Sequence, residues 1–229
     1  MIKAYLMLFV LLCPATALAT DWPSIEAPPK ATVQWVGQNM KLNGVPLRIQ
    51  QFSSNVSMNE VISYYRAIWG SRADKKSVEN ALGKGQVIGK QQGDYYLSVQ
   101  VTPAGLTKCT GYLTVSMLPG SQRIVMNSDQ FPLMSGSNIH SELESNDPGQ
   151  KAKTLTLLNT YSVASNADFY KERLTAQGWQ LDPHYGGSQQ DGKAYAMFFR
   201  RGNTEATVII SKATAGTFTV ANIVTHTTN

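Results

Sequence analysis

Few side chains in this sequence could do chemistry, and their spacing argues against most kinds of it. The three histidines, His140, His184 and His226, lie far apart and far from Cys109. No C-x-x-C, H-x-x-x-H or H-E-x-x-H occurs, so neither a zinc site nor a thiol–disulfide motif is expected. Glu142, Glu144 and Asp147 are the densest acidic group. On a strand, Glu142 and Glu144 share a face, which suits either a Ca²⁺ site completed by carbonyl oxygens or a solvated surface. Ser135-Gly136-Ser137 is loop-like, and there is no G-x-S-x-G nucleophile elbow. A Cys109 nucleophile would need an imidazole beside its thiolate, and nothing in the spacing supplies one. Gly83-Lys84-Gly85 is too short to cradle a phosphate and reads as linker. No paired carboxylates sit in an aromatic-rich cleft pattern. These residues name no catalytic group, no metal and no cofactor.

The aromatic residues are the other chemically distinctive set. Tyr95-Tyr96 and Phe198-Phe199 each place two rings in succession on a strand, so one of each pair must point away from the core. These four are the candidate contact residues, facing either the other half of the chain or a partner.

The amino terminus supplies an address. Lys3 and the terminal amine precede an apolar run from Ala4 to Leu12, Pro14 breaks it, and Ala17-x-Ala19 forms a cleavage site. Residues 1–19 therefore read as a secretory signal cleaved near Ala19. The run is less than half of the roughly 20 residues a membrane span needs. Leu12 before Cys13 argues against a lipoprotein. The expected compartment is the periplasm or the medium. After cleavage, 19 basic and 15 acidic side chains remain, a net charge near +4, with no basic stripe to suggest nucleic acid. Cys109 is then the only cysteine. It allows no internal disulfide and leaves only a homodimer bridged through Cys109 as a disulfide option.

The elements that must position these groups follow one plan twice. After an extended lead-in at 20–30, Val33 and Trp35 mark a strand. Asn43-Gly44 predicts a hairpin into Leu47, Ile49 and Phe52. Ser57 and Glu60 predict a capping box, with a helix ending at Gly70. Residues 71–85 read as a polar connection. Three strands follow, around Gln86–Gln92, Tyr95–Val101 and Leu113–Met117. The second half repeats this: strands at Ser137–Glu144 and Thr154–Thr160, a helix from Ser165 with Asp168 in its first turn to Gly178, then strands around Tyr195, Ala206 and Phe218.

The expected fold is α+β: two tandem β-β-α-β-β-β repeats, each an antiparallel sheet with one helix packed on a face. The repeats span 31–118 and 130–227, joined by a linker at 119–129. In architecture alone this resembles the helix-grip modules of outer-membrane assembly lipoproteins, and no residue role is carried over. The expected function is an exported, non-enzymatic accessory protein, binding or assembling an envelope or secreted protein partner. The alternatives are a binder of a small apolar ligand or cell-wall glycan, and last a hydrolase.

Overall fold

The structure, a computed structural model, describes residues 22–70, 77–118, 131–188 and 192–227. The expected signal 1–19 and linker 119–129 lie outside the described residues.

From residue 22 a segment runs across the first helix. It is pinned by Tyr65, whose hydroxyl donates to the Glu26 carbonyl at 2.6 Å, and by Ser54, which donates to the Pro29 carbonyl at 2.6 Å. Strands β1 (Ala31–Leu42) and β2 (Val45–Ser54) form a hairpin through Asn43 and Gly44, both at positive φ, 50° and 78°. That is the left-handed pair a two-residue turn requires. Helix α1 (Met58–Trp69) starts at the expected capping box. The Ser57 amide donates to Glu60 Oε2 at 2.9 Å, and the Glu60 amide donates back to Ser57 Oγ. Strands β3 (Val78–Leu82), β4 (Gly85–Gln92), β5 (Tyr95–Pro103) and β6 (Cys109–Met117) complete the first half. The second half comprises β7 (Asn138–Asp147), β8 (Gln150–Asn159), α2 (Val163–Ala176), β9 (Gln180–Ser188), β10 (Ala194–Arg201), β11 (Thr204–Ala213) and β12 (Gly216–His226).

The twelve strands of the described residues join in one antiparallel sheet, ordered β3-β4-β5-β6-β2-β1-β7-β8-β12-β11-β10-β9. Of the described residues, 60% are strand and 14% helix. The expected α+β fold of two β-β-α-β-β-β repeats is therefore overturned: the protein is mainly β. Four strands follow each helix rather than three, and the halves fuse edge to edge. Both extra strands lie at the sheet's ends, where pattern is weakest. In β3, only Glu79 is less than exposed, so no alternation marks it. Gly83-Lys84 is its hairpin turn, not a linker. In β9, Pro183 and two glycines resemble a turn, but an edge strand tolerates proline and is protected by it. Its pairing with β10 breaks between Met197 and Phe199, and there the His184 amide bonds Asp182 Oδ1 at 2.9 Å.

Helix α2 also starts earlier than expected. Ser162, not Ser165, is its cap: the Ser162 Oγ accepts from the Ser165 amide at 3.0 Å. Asn159 fixes the approach by accepting from the Tyr161 amide at 3.1 Å.

Each helix closes its own core. Around α1, Val61, Ile62 and Tyr65 pack with Phe52, Leu97, Val99 and Leu113. Around α2, Tyr170 and Leu174 pack with Leu155, Leu157, Val208 and Ile210. Burying each such side chain contributes roughly 1.5–3 kcal/mol. Phe52 and its neighbours fill the first core so closely that a Cβ on Gly111 would lie 2.7 Å from the Phe52 ring. The space between helix and sheet is thus occupied by the protein's own side chains.

Candidate functional site

The two halves meet along a narrow seam. Only Met40, Lys41 and Leu42 of β1 register with β7, against Ser145, Glu144 and Leu143. Bulges on either side of Gly37 bend β1 away from that line. Asn43 extends the junction: its amide donates to the Glu142 carbonyl at 2.7 Å, and its Oδ1 accepts from the Glu142 amide at 2.8 Å. The hairpin residue is therefore also the clasp between halves.

Where the strands part, a cleft of about 730 Å³ opens. Its aromatic walls are Trp22 from the lead-in and Phe131 from the start of the second half. Phe131 is fixed by stacking on Tyr170, ring centroids 5.2 Å apart. Trp22 is fixed by Tyr95 on one side, at 5.1 Å, and by the Arg48 guanidinium, 4.7 Å from its ring centre. Among the described residues four basic side chains line the cleft, Lys41, Arg48, Lys151 and Lys153, against one acidic one, Glu144.

These cations are not equivalent. Lys153 lies between Glu142 Oε1, at 2.5 Å, and Glu144 Oε1, at 3.3 Å. Burial pulls its pKa down, but the hydrogen bonds and charges of the two carboxylates outweigh that and raise it. Arg48 has no such partner. Its Nε is buried without an acceptor among the described residues, and so is the Tyr95 hydroxyl. Tyr170 Oη, Trp179 Nε1 and Thr219 Oγ1 of the second half are buried without partners as well, and what distinguishes Arg48 is that it also lines the cleft, against Trp22.

The structure separates the residues singled out in the sequence. Glu142 and Glu144 do share a face, and the Lys153 ammonium occupies the space between them. Asp147 instead receives a hydrogen bond from Ser145. His140 is exposed and packs its edge against Phe218, whereas His184 and His226 are exposed on β9 and β12. Among the described residues no three His, Cys, Asp or Glu side chains converge as a metal cluster. Cys109 is fully buried in the first core. Burial and then the Glu60 charge push its thiol pKa up, the opposite of what activates a nucleophile. A disulfide to a second copy would require that core to open.

Of the four candidate contact aromatics, Tyr95 faces its helix side beside Trp22, and Phe199 is buried in the second core. Tyr96 and Phe198 point to the other face. Tyr96 is half-buried over Gly89, where a Cβ would lie 2.5 Å from its hydroxyl. Phe198 is 37% exposed. Tyr95 alone of the four adjoins the cleft, behind Trp22, and is not part of its lining. Trp22, Arg48, Phe131 and Lys151 were not singled out in the sequence. One signal was available for Arg48, since it shares the row of Phe52 in β2 and is thus a charge on a core-facing row. Among the described residues no helix is long and apolar enough to cross a membrane. No known protein family, curated protein or solved structure matches the chain.

Proposed function

We propose that this chain is an exported, non-enzymatic accessory protein that binds a protein partner of the cell envelope, and that the seam cleft is its contact site. The observation that carries this reading is the pairing of Trp22 with Arg48 at the cleft, with Arg48 Nε left without an acceptor among the described residues. Trp, Tyr and Arg in partly desolvated pockets dominate the energetics of protein interfaces. The volume suits a side chain or a short segment of the partner. The titratable groups here are held apart or in ion pairs rather than set as acid–base couples, which favours binding over catalysis. The signal-like residues 1–19 support the exported part of this reading.

The test is site-specific photo-crosslinking in producing cells, with the probe at Lys151 in the cleft or at Lys171 on the exposed side of α2. One envelope protein should be captured from Lys151 and not from Lys171, and Trp22→Ala should abolish the capture. Equal capture at both positions, or capture indifferent to Trp22, would overturn the reading. Retention of cell-wall glycan or of a small apolar molecule in place of a protein would do the same.

A further inference from the structure

We propose that the Arg48–Tyr95 corner of the cleft is a carboxylate-binding subsite, which takes an acidic side chain of an extended partner segment carrying an aromatic or apolar neighbour. This rests on the cleft being the contact site, and it names the chemistry that the site recognises.

The argument starts from the two donors. Arg48 stands on β2 and Tyr95 on β5. Through β6 they belong to adjoining rows, since Arg48 registers with Val115 and Val115 with Leu97, two residues from Tyr95. Both flank Trp22. Each has a polar hydrogen buried without an acceptor. Leaving such a donor unsatisfied costs about 1–3 kcal/mol, more when the group is charged. An oxygen ligand that reaches Arg48 Nε removes the larger cost, and a second oxygen at the Tyr95 hydroxyl removes the other.

The ligand should be anionic. Arg48 holds a fixed positive charge, and Lys151, also in the cleft, forms no ion pair among the described residues. A carboxylate is the anion that an unmodified peptide segment carries, and its two oxygens match the edge of a guanidinium bidentately. The walls supply the rest. Trp22 and Phe131 offer apolar surface beside the charge, so an acidic residue next to an aromatic one satisfies both parts of the cleft.

The test uses the mature chain and three end-blocked hexapeptides: one alternating Glu with Phe, one with Gln in place of Glu, and one with phosphoserine in place of Glu. Calorimetry should show the Glu peptide binding at least about tenfold more tightly than the Gln peptide, and the phosphoserine peptide no more tightly than the Glu peptide. Arg48→Lys keeps the charge but loses the planar fork, and should weaken the Glu peptide about tenfold without altering the Gln peptide. Tyr95→Phe keeps the ring and should weaken it about fivefold. It also serves as the test if Arg48 variants fail to show a native near-ultraviolet dichroism spectrum. The subsite is overturned if Glu and Gln peptides bind alike, if no peptide binds, if phosphoserine binds far more tightly, or if Arg48→Lys and Tyr95→Phe both bind as wild type. Crosslinking at Lys151 separates the two claims. Trp22-dependent capture without Glu-peptide selectivity removes the carboxylate subsite and leaves the cleft as a contact site. Selective peptide binding without capture removes the envelope partner and leaves the subsite.

Discussion

Lys153→Met isolates what the seam owes to charge. The substitution removes an ammonium that is 27% exposed and leaves Glu142, whose side chain is 6% exposed, with its carboxylate buried and deprived of that partner. Removing one member of a buried pair costs about 3–5 kcal/mol. The lower end applies here because the lysine is partly solvated, and the Glu144 contact, 43% exposed on its acidic side, adds only a few tenths. The expected loss is therefore about 3 kcal/mol. For a chain of this size each kcal/mol moves Tm by roughly 2–4 °C, so the drop should be roughly 6–12 °C. Because the fold raises the Lys153 pKa, its contribution is complete below the ordinary lysine value of about 10.4 and fades as pH rises through the higher folded value. The loss should therefore be the same at pH 7 and pH 9. Thermal and urea unfolding read it. Glu142→Leu combined with Lys153→Met should recover most of the loss, since an apolar pair of similar size leaves no buried charge. A single variant within about 2 °C of wild type would refute the reasoning. A double variant as unstable as the single would show that the cost was shape rather than charge.

Three further perturbations test other parts of the structure. Asn43→Gly keeps the turn chemistry but loses the acceptor for the Glu142 amide, and should cost roughly 1–2 kcal/mol in urea unfolding; a neutral result would show that the clasp contributes nothing. Burial pushes the Tyr170 phenol up to about 12, and raises Tyr65 as well, first by burial and then by the charges of Tyr64 and Glu26. Their neutral forms favour the fold fully below the ordinary value of about 10, and that contribution is lost as pH rises through the folded values. In an ultraviolet titration both phenols should ionise with alkaline unfolding, and ionisation in the folded protein would count against the packing described. Cys109 should react with a thiol reagent only at the rate of unfolding, and rapid labelling of the native chain would contradict its burial.

What could be read in the sequence divides along physical lines. Local signals were sufficient wherever a short segment decides its own shape. Asn43-Gly44 set a hairpin, and Ser57 with Glu60 set a helix start. The alternation from Tyr95 to Val101 set a half-buried strand, and it also placed Tyr95 and Tyr96 on opposite faces. At α2 the same logic selected the wrong serine. Two candidate caps lie three residues apart, and the choice between them is made by Asn159, whose own position depends on a bond to Asn166 inside the fold. The end strands β3 and β9 escaped notice because an edge needs only one partner and little burial. A proline and two glycines are thus tolerated in one, and a nearly uniformly exposed run suffices in the other.

The cleft was harder still to foresee, since its parts lie far apart in the chain. Trp22, Arg48 and Tyr95 meet within the first half, Phe131 and Lys151 face them only once β1 and β7 pair, and the bond that clasps that pairing joins residues 43 and 142. Two of its features nevertheless follow from register alone. Counting back across the turn at Pro148-Gly149 brings Lys153 opposite Glu144 and one step from Glu142, which predicts an ion pair where the acidic residues alone suggested a solvated face or a Ca²⁺ site. Counting from Phe52 along β2 puts Arg48 on the core-facing row, where a charge must find a partner or a ligand. The first charge has its partners within the protein. The second lies over Trp22 and keeps Nε without an acceptor among the described residues, and for that reason a ligand is to be sought first at Arg48 rather than at the exposed aromatics.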